Sequence, residues 1–174
     1  MRPQTIGRTA IVLLCASFAV SNQLRAQNGM AGCKLDEAGA EKIWSCPGGL
    51  TIIVEDGARF SLEDQDHDGS VDLVRLWRRA LLLVFVEAGG RDVEVITPQA
   101  IAAARGTKWA VDVGRGKTSV FVVKGAVGVR RPSVASEVVL TRGEGVDVEH
   151  GRSQLRVKKW GAPRVAALME RLGQ

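Results

Sequence analysis

The stretch TKWAVDVGRGKTSVFVVK, residues 107–124, decides how the chain is read. Its centre, GRGKTS, ends in the Gly-Lys-Thr that closes a phosphate-binding loop. Such a loop needs a glycine five positions before its last one, so that successive backbone N–H groups wrap the phosphates, and a helix beyond it. Val111 stands at the first of those positions, and Thr118 is succeeded by Ser119 and the run Val120, Phe121, Val122, Val123. That β-branched and aromatic run favours a strand. GRGKTS therefore reads as a turn between two paired strands. Before it, Thr107, Trp109, Val111 and Val113 point one way and Lys108, Ala110 and Asp112 the other, which gives one face to a core. After it, both faces are apolar, as in a strand covered on both sides. Between the strands stand Gly114, Arg115, Gly116 and Lys117, with glycines free to take the positive φ of a tight turn.

The same grammar extends outward in both directions. From Leu50 onward, apolar stretches of strand length (LTIIV, ARFSL, SVDLVRL, LLLVFVE, DVEVIT, AIAAA, GAVGV, EVVLT, VDVEH, QLRV) alternate with glycine- and proline-bearing turns. No gap is long enough for a crossover helix, so the expected class is all-β, a single sandwich- or roll-like domain of many short strands. Two short helices are expected at its margins. DEAGAEKIW, residues 36–44, has room for a turn or two. PRVAALMERL, within the C-terminal segment 160–174, has Pro163 near its start and Val165, Leu168 and Leu172 at helical spacing. That helix is expected to pack on the sheet or to cap an open edge.

At the N-terminus, Arg2 and Arg8 precede AIVLLCASFAV, an apolar run too short to span a bilayer, and Ala26 supplies a small residue after it. Residues 1–26 read as a secretory signal with cleavage near Ala26, leaving 27–174 as one mature, exported domain. Cys15 is a poor lipidation site because the apolar run continues past it. Removing the signal takes away Arg2, Arg8 and Arg25 and no acid, so the formal charge falls from +5 to +2. A nearly neutral chain without a basic stripe of stacking aromatics is not expected to bind nucleic acid. The pairs Arg78–Arg79, Arg130–Arg131 and Lys158–Lys159 read as solvated strand ends. Cys33 and Cys46 then remain; in an exported chain they read as one disulfide closing a small loop, with two inert buried thiols as the alternative. With only His67 and His150 as companions, zinc is not expected.

Several residues resemble the pattern of the FecR domain. They are Thr97–Pro98 in an extended segment, Arg105–Gly106–Thr107 with Trp109 two positions on, and Val123 with Gly125, Val127 and Val129. Leu140 with Gly143, Gly145 and Val146 completes the set. The resemblance covers roughly residues 50–150, most closely 93–148, and leaves out the cysteine-bridged segment 27–49 and the C-terminal helix. In that family the domain lies in the periplasm beyond an anti-sigma segment and a spanning helix, and receives a signal from an iron-siderophore transporter. The resemblance implies the sensory module alone, exported without those segments and without a membrane anchor. Its motif residues are expected to be structural: Gly106 at a chain reversal, Thr107 and Trp109 opening an inward face, Gly125 at a corner between strands. Arg105, beside AIAAA, is expected partly buried against Asp112 or Glu94.

Catalytic chemistry is thin. His150, Ser153 and Asp147 can be drawn as a triad, yet no nucleophile motif frames the serine, and solvated loops are the simpler reading. DQDHDGSVD, residues 64–72, offers more. Asp64, Asp66, Asp68, Gly69 and Asp72 hold positions 1, 3, 5, 6 and 9 of a calcium loop, carboxylates alternating around a glycine bend. Arg75 stands where the bidentate twelfth ligand belongs, and strands rather than helices flank the loop. The competing reading is a polar turn whose carboxylates face water. The expected function is thus a non-enzymatic periplasmic module that binds a periplasmic or outer-membrane protein or another envelope component. A secreted, calcium-dependent structural or carbohydrate-binding domain is the alternative. Calcium is the one cofactor with residues to suit it.

Overall fold

The computed structural model describes residues 30–38, 41–85 and 92–174, so residues 1–26, where a secretory signal is expected, lie outside the described residues. The elements are β1 (Lys34–Ala38), β2 (Glu41–Cys46), β3 (Leu50–Val54), β4 (Arg59–Glu63), β5 (Leu73–Phe85), β6 (Asp92–Ile96) and β7 (Ile101–Arg105). They continue with β8 (Lys108–Gly114), β9 (Lys117–Lys124), β10 (Ala126–Arg130), β11 (Glu137–Thr141), β12 (Glu144–Glu149), β13 (Lys158–Lys159) and α1 (Ala162–Arg171).

GRGKTS is a hairpin turn. Gly114 pairs with Lys117, so the connection is only two residues long, with Arg115 at φ 46° and Gly116 at φ 78°. Positive φ at both central residues matches the right-handed twist of the flanking strands. Gly116 supplies one of these angles freely; Arg115, rather than Gly114, carries the other.

The long strand β5 organises the molecule. Along one edge it pairs antiparallel with β4 through its first half and with β3 through its second. Along the other it pairs parallel with β6 over Leu73–Arg75 and antiparallel with β8 over Arg79–Val84. The parallel pair needs the chain to return from Phe85 to Asp92. Seven Cα steps reach about 25 Å, whereas a straight strand of that length would carry the chain about 40 Å away. β5 must therefore bend. The bend falls where Trp77 is the extra residue of a bulge opposite β4 and Arg79 adopts φ 70°.

Folded about that bend, the sheet runs β11-β10-β7-β6-β5-β8-β9-β12-β13, with β1, β2, β3 and β4 branching off. The two limbs close on a core that joins Leu76, Val95, Val127, Val129 and Leu140 from one side to Ile52, Leu83, Trp109, Val120 and Val146 from the other. A second, smaller core lies outside, where Leu168 of α1 and Leu172 just beyond it are buried with Ile53, Ala80, Leu82, Ala110 and Phe121. This explains why TSVFVV is apolar on both faces: one meets the inner core and the other the helix. The helix thus covers a sheet face, and Ala110 is buried too.

Four expectations need correction. The described residues of DEAGAEKIW, 36–38 and 41–44, are strand and not helix: β1 and β2 pair antiparallel with Leu35 opposite Trp44, and Trp44 meets Phe60 edge to face. Covering the inner core with Trp44 outweighs the helical tendency of the alanines. QLRV is not a strand; Leu155 and Val157 lie over the inner core and pairing begins only at Lys158. Arg131 is not solvated but buried, its guanidinium donating to the carbonyls of Glu149 and Ser153. Arg105 is exposed and stands opposite Asp92, while Asp112 is held by Arg171 and Glu94 lies near Arg130. The cysteines, by contrast, are bonded to each other as expected.

Candidate functional site

The aspartate loop is the connection between β4 and β5, whose ends pair at Glu63 and Leu73. Its first carboxylate organises the bend: Asp64 accepts from the backbone N–H groups of Asp68 (3.2 Å) and Gly69 (2.8 Å). Asp72 closes the far side by accepting from the N–H of Gln65 at 3.0 Å. These side-chain turns are the local bonds that aspartate offers in loops. They bring oxygens of Asp64, Asp66 and Asp72 within 4.8 Å of one another, a spacing that a divalent cation can bridge. Asp68 is not in that group and accepts from the N–H of Ser70 (2.9 Å). Arg75 points away from the loop to Glu63 at 2.7 Å. The structure therefore gathers three of the four predicted aspartates.

The family-pattern residues build the fold. Thr97 makes a tight turn before β7, its hydroxyl and backbone bonded to Ala100. Its Oγ1 is 2.8 Å from that of Thr118, the threonine of GRGKTS, and Thr118 donates to Gln99 Oε1 at 2.9 Å. Pro98 is exposed beside it. Gly106 (φ 62°) precedes Thr107, which is buried, and Gly125 takes φ 93° in the turn between β9 and β10. A Cβ on Gly125 would lie 2.5 Å from Thr107 Cγ2. The Trp109 ring is fully buried. Gly143 (φ 80°) turns the chain into β12, and a Cβ on Gly145 would lie 2.4 Å from the Trp160 ring. Trp160 stacks on Phe121 with centroids 5.0 Å apart.

The three residues drawn as a triad are committed elsewhere. His150 Nε2 lies 3.3 Å from the Gln99 amide nitrogen, and Ser153 receives Arg131 at 3.4 Å. Asp147 accepts from Ser119 at 2.6 Å and from Arg164 at 2.9 Å. Burial pushes the Asp147 carboxyl up. The bonds from Arg164 and Ser119, with the charges of Arg164 and Lys117, outweigh this and hold it below the usual aspartate range.

A further feature has almost no signature in the local sequence. A cleft of about 670 Å³ opens where β6 and β8 diverge from β5, between the bend at Trp77–Arg79, the turn at Pro98–Gln99 and the β8–β9 hairpin. Five of its lining side chains are cationic (Arg78, Arg79, Arg115, Lys117 and Arg171), and Asp112 is the one acid among the lining residues. These basic residues are scattered from β5 to the end of α1. The local signals are limited to the triplet Trp77-Arg78-Arg79 interrupting an apolar strand and an arginine in a glycine turn.

Among the described residues no helix is long and apolar enough to cross a membrane. No curated protein matches the chain. Two crystal structures of a "putative anti-sigma factor" from Parabacteroides distasonis ATCC 8503 share its fold, each at 20% identity. Their TM-scores are 0.61 and 0.59, with 79% and 75% of this chain covered. The chain spans only 63% and 61% of the length of those two. A sequence profile described as "FecR protein" matches residues 38–128, from the end of β1 into β10 and thus over the aspartate loop, the bend and the GRGKTS hairpin. With just over half of its residues in that match, the chain belongs to the FecR protein family.

Proposed function

We propose that the chain is a non-catalytic β module of envelope signalling, which acts by binding a periplasmic or outer-membrane protein or another envelope component. Family membership over residues 38–128 carries this reading. The name anti-sigma factor, printed for the two similar structures, supports a regulatory role for it. Its motif residues are spent on turns and close packing, which leaves the surface to do the binding. Export is part of the proposal: cleavage near Ala26 would deliver residues 27–174 as one domain to a compartment where Cys33–Cys46 persists. Photo-crosslinking and co-purification of the exported chain from its own cell envelope tests the reading, and intact mass tests the cleavage. A specific crosslinked protein or envelope component is expected; a protein that stays unpartnered in its native envelope contradicts the proposal.

A second reading rests on the gathering of Asp64, Asp66 and Asp72: a weak calcium site that ties β4 to β5. With Arg75 in place of a bidentate acid, affinity is expected on the order of 10⁻⁴ to 10⁻³ M. Calcium at ten times the dissociation constant then adds about 1.4 kcal/mol of stability. Melting curves with calcium and with chelator measure this, and Asp66→Asn is expected to erase the difference.

A further inference from the structure

We infer that the cleft at the bend of β5 is the docking site for a short, extended acidic segment of a partner polypeptide. This deepens the interaction role proposed above and rests on it. Three observations converge. The first is charge: Arg79 and Arg171 share Glu55, at 3.2 and 2.6 Å, Arg171 also pairs with Asp112 at 2.8 Å, and Lys117 is 3.9 Å from Asp147. The side chains of Arg78 and Arg115, however, make no ion pair or hydrogen bond with any described residue. Two uncompensated guanidinium groups beside three cations that already hold acidic partners suit further carboxylates, which arginine binds with paired N–H donors.

The second observation is that these cations stand where stability alone would choose something else. Arg78 faces Arg59 directly across the β4–β5 ladder, and like charges in that relation are destabilising. Arg115 holds φ 46° at the first position of a turn that favours asparagine or glycine. Arg79 holds φ 70° at the bend itself. Strain and bulges gathered at one place point to function there. Trp77, the bulged residue, is turned outward and 45% exposed with Arg59 over its ring. It offers an apolar platform at the cleft wall.

The third observation is shape. The ladder to β6 ends at Arg75 and the ladder to β8 begins at Arg79, so Leu76–Arg78 have no strand beside them on that edge. Leu76 is fully buried, so an extended chain entering there meets a short free stretch of strand edge at the exposed Trp77 and Arg78, with the Trp77 ring and the guanidinium groups of Arg78 and Arg115 beside it, elements that sheets use to accept extended peptides. The volume lies in the range of ligand clefts.

The test titrates the full exported chain with a short fluorescein-labelled peptide of alternating glutamate and valine. It then compares the double variant Arg78→Gln/Arg115→Asn with the control Lys158→Gln/Lys159→Gln on β13. The cleft variant removes a like-charge contact and places asparagine in a turn that suits it, so it is expected to melt no lower than the wild type. Peptide binding should weaken at least about tenfold in the cleft variant, stay unchanged in the control, and decline with salt. Equal loss in both variants, or none in either, overturns the inference. So does displacement of the peptide by inorganic phosphate at equal charge, or recruitment to vesicles containing anionic lipid with the same arginine dependence, since either would put another anion in place of a polypeptide. If the cleft variant still captures the envelope partner while peptide binding fails, the cleft falls and the interaction role stands. Loss of envelope capture by the wild type would remove that role instead.

Discussion

At the scale of single residues, Gly145 and Trp160 show how a family pattern turns into packing. Gly145 pairs with Phe121 across the β9–β12 ladder, and Trp160 lies over the space that a side chain at 145 would fill. An aromatic covering a strand glycine restores the packing that the glycine lacks. A Cβ at 145 would also approach the Val120 carbonyl oxygen to 2.7 Å, so repacking the tryptophan alone does not relieve the clash. Gly145→Ala is expected to cost about 1–3 kcal/mol, the usual penalty for overpacking. Thermal melting measures it, and Trp160 emission should shift to the red as the ring leaves Phe121. Trp109 presents the opposite case: its ring is fully buried and its indole N–H has no hydrogen-bond partner among the described residues. The area it buries outweighs an unmet donor of about 1–3 kcal/mol.

At the scale of elements, the N-terminal hairpin and the C-terminal helix are attached by different means. The hairpin is closed by Cys33–Cys46, a separation of 13 residues. Loop-entropy arguments assign such a bridge about 3 kcal/mol. Urea unfolding with and without reductant should show a loss of that size. The helix is held by Arg171, which reaches the buried Glu55 at 2.6 and 3.1 Å and Asp112 at 2.8 and 3.0 Å. These bonds to Asp112 and Glu55 raise the Arg171 pKa further above the neutral range. Arg171→Ala leaves Glu55 with Arg79 and the Ala80 N–H as its partners. Stability is expected to drop by about 2–4 kcal/mol, much of it the cost of an under-compensated buried charge. Limited proteolysis should then release the C-terminal segment first.

For the molecule as a whole, acid stability depends on how the helix segment is tied to the sheet. Asp147 has its pKa lowered in the folded state by Arg164 and Ser119. A lowered folded pKa means stability that is present above the unfolded aspartate value, about 3.9, and is lost as pH falls through the folded value. Wild type should therefore lose stability from about pH 4 downward, and Asp147→Asn should flatten that part of the profile while lowering the plateau above it. Melting temperature against pH measures both.

How much of this was legible before folding depends on the range of the interactions involved. The strands around GRGKTS, the all-β class and the presence of a turn between those strands are written in local alternation and in β-branched runs, which act within a few residues; only the pairing of Gly114 with Lys117 shortened that turn to two residues. The aspartate loop was legible too, because its bends are made by carboxylates bonding to N–H groups within a few positions, as Asp64 does to Gly69. DEAGAEKIW misled because its helical tendency is worth a few tenths of a kcal/mol per residue, less than the burial that Trp44 gains by pairing as a strand. Arg131 read as solvated because nothing near it in sequence supplies the carbonyls of Glu149 and Ser153 that receive it. The cleft lay beyond reach for the same reason. Its cations come from β5, the β8–β9 hairpin and the last turn of α1, and only the bend of β5 and the docking of the helix bring them together. Local pattern determined most of the strands between Leu50 and Glu149, the turns between them and the family they belong to. Tertiary structure decided which faces are covered and which charges share a surface, because those depend on contacts between residues that the sequence holds far apart.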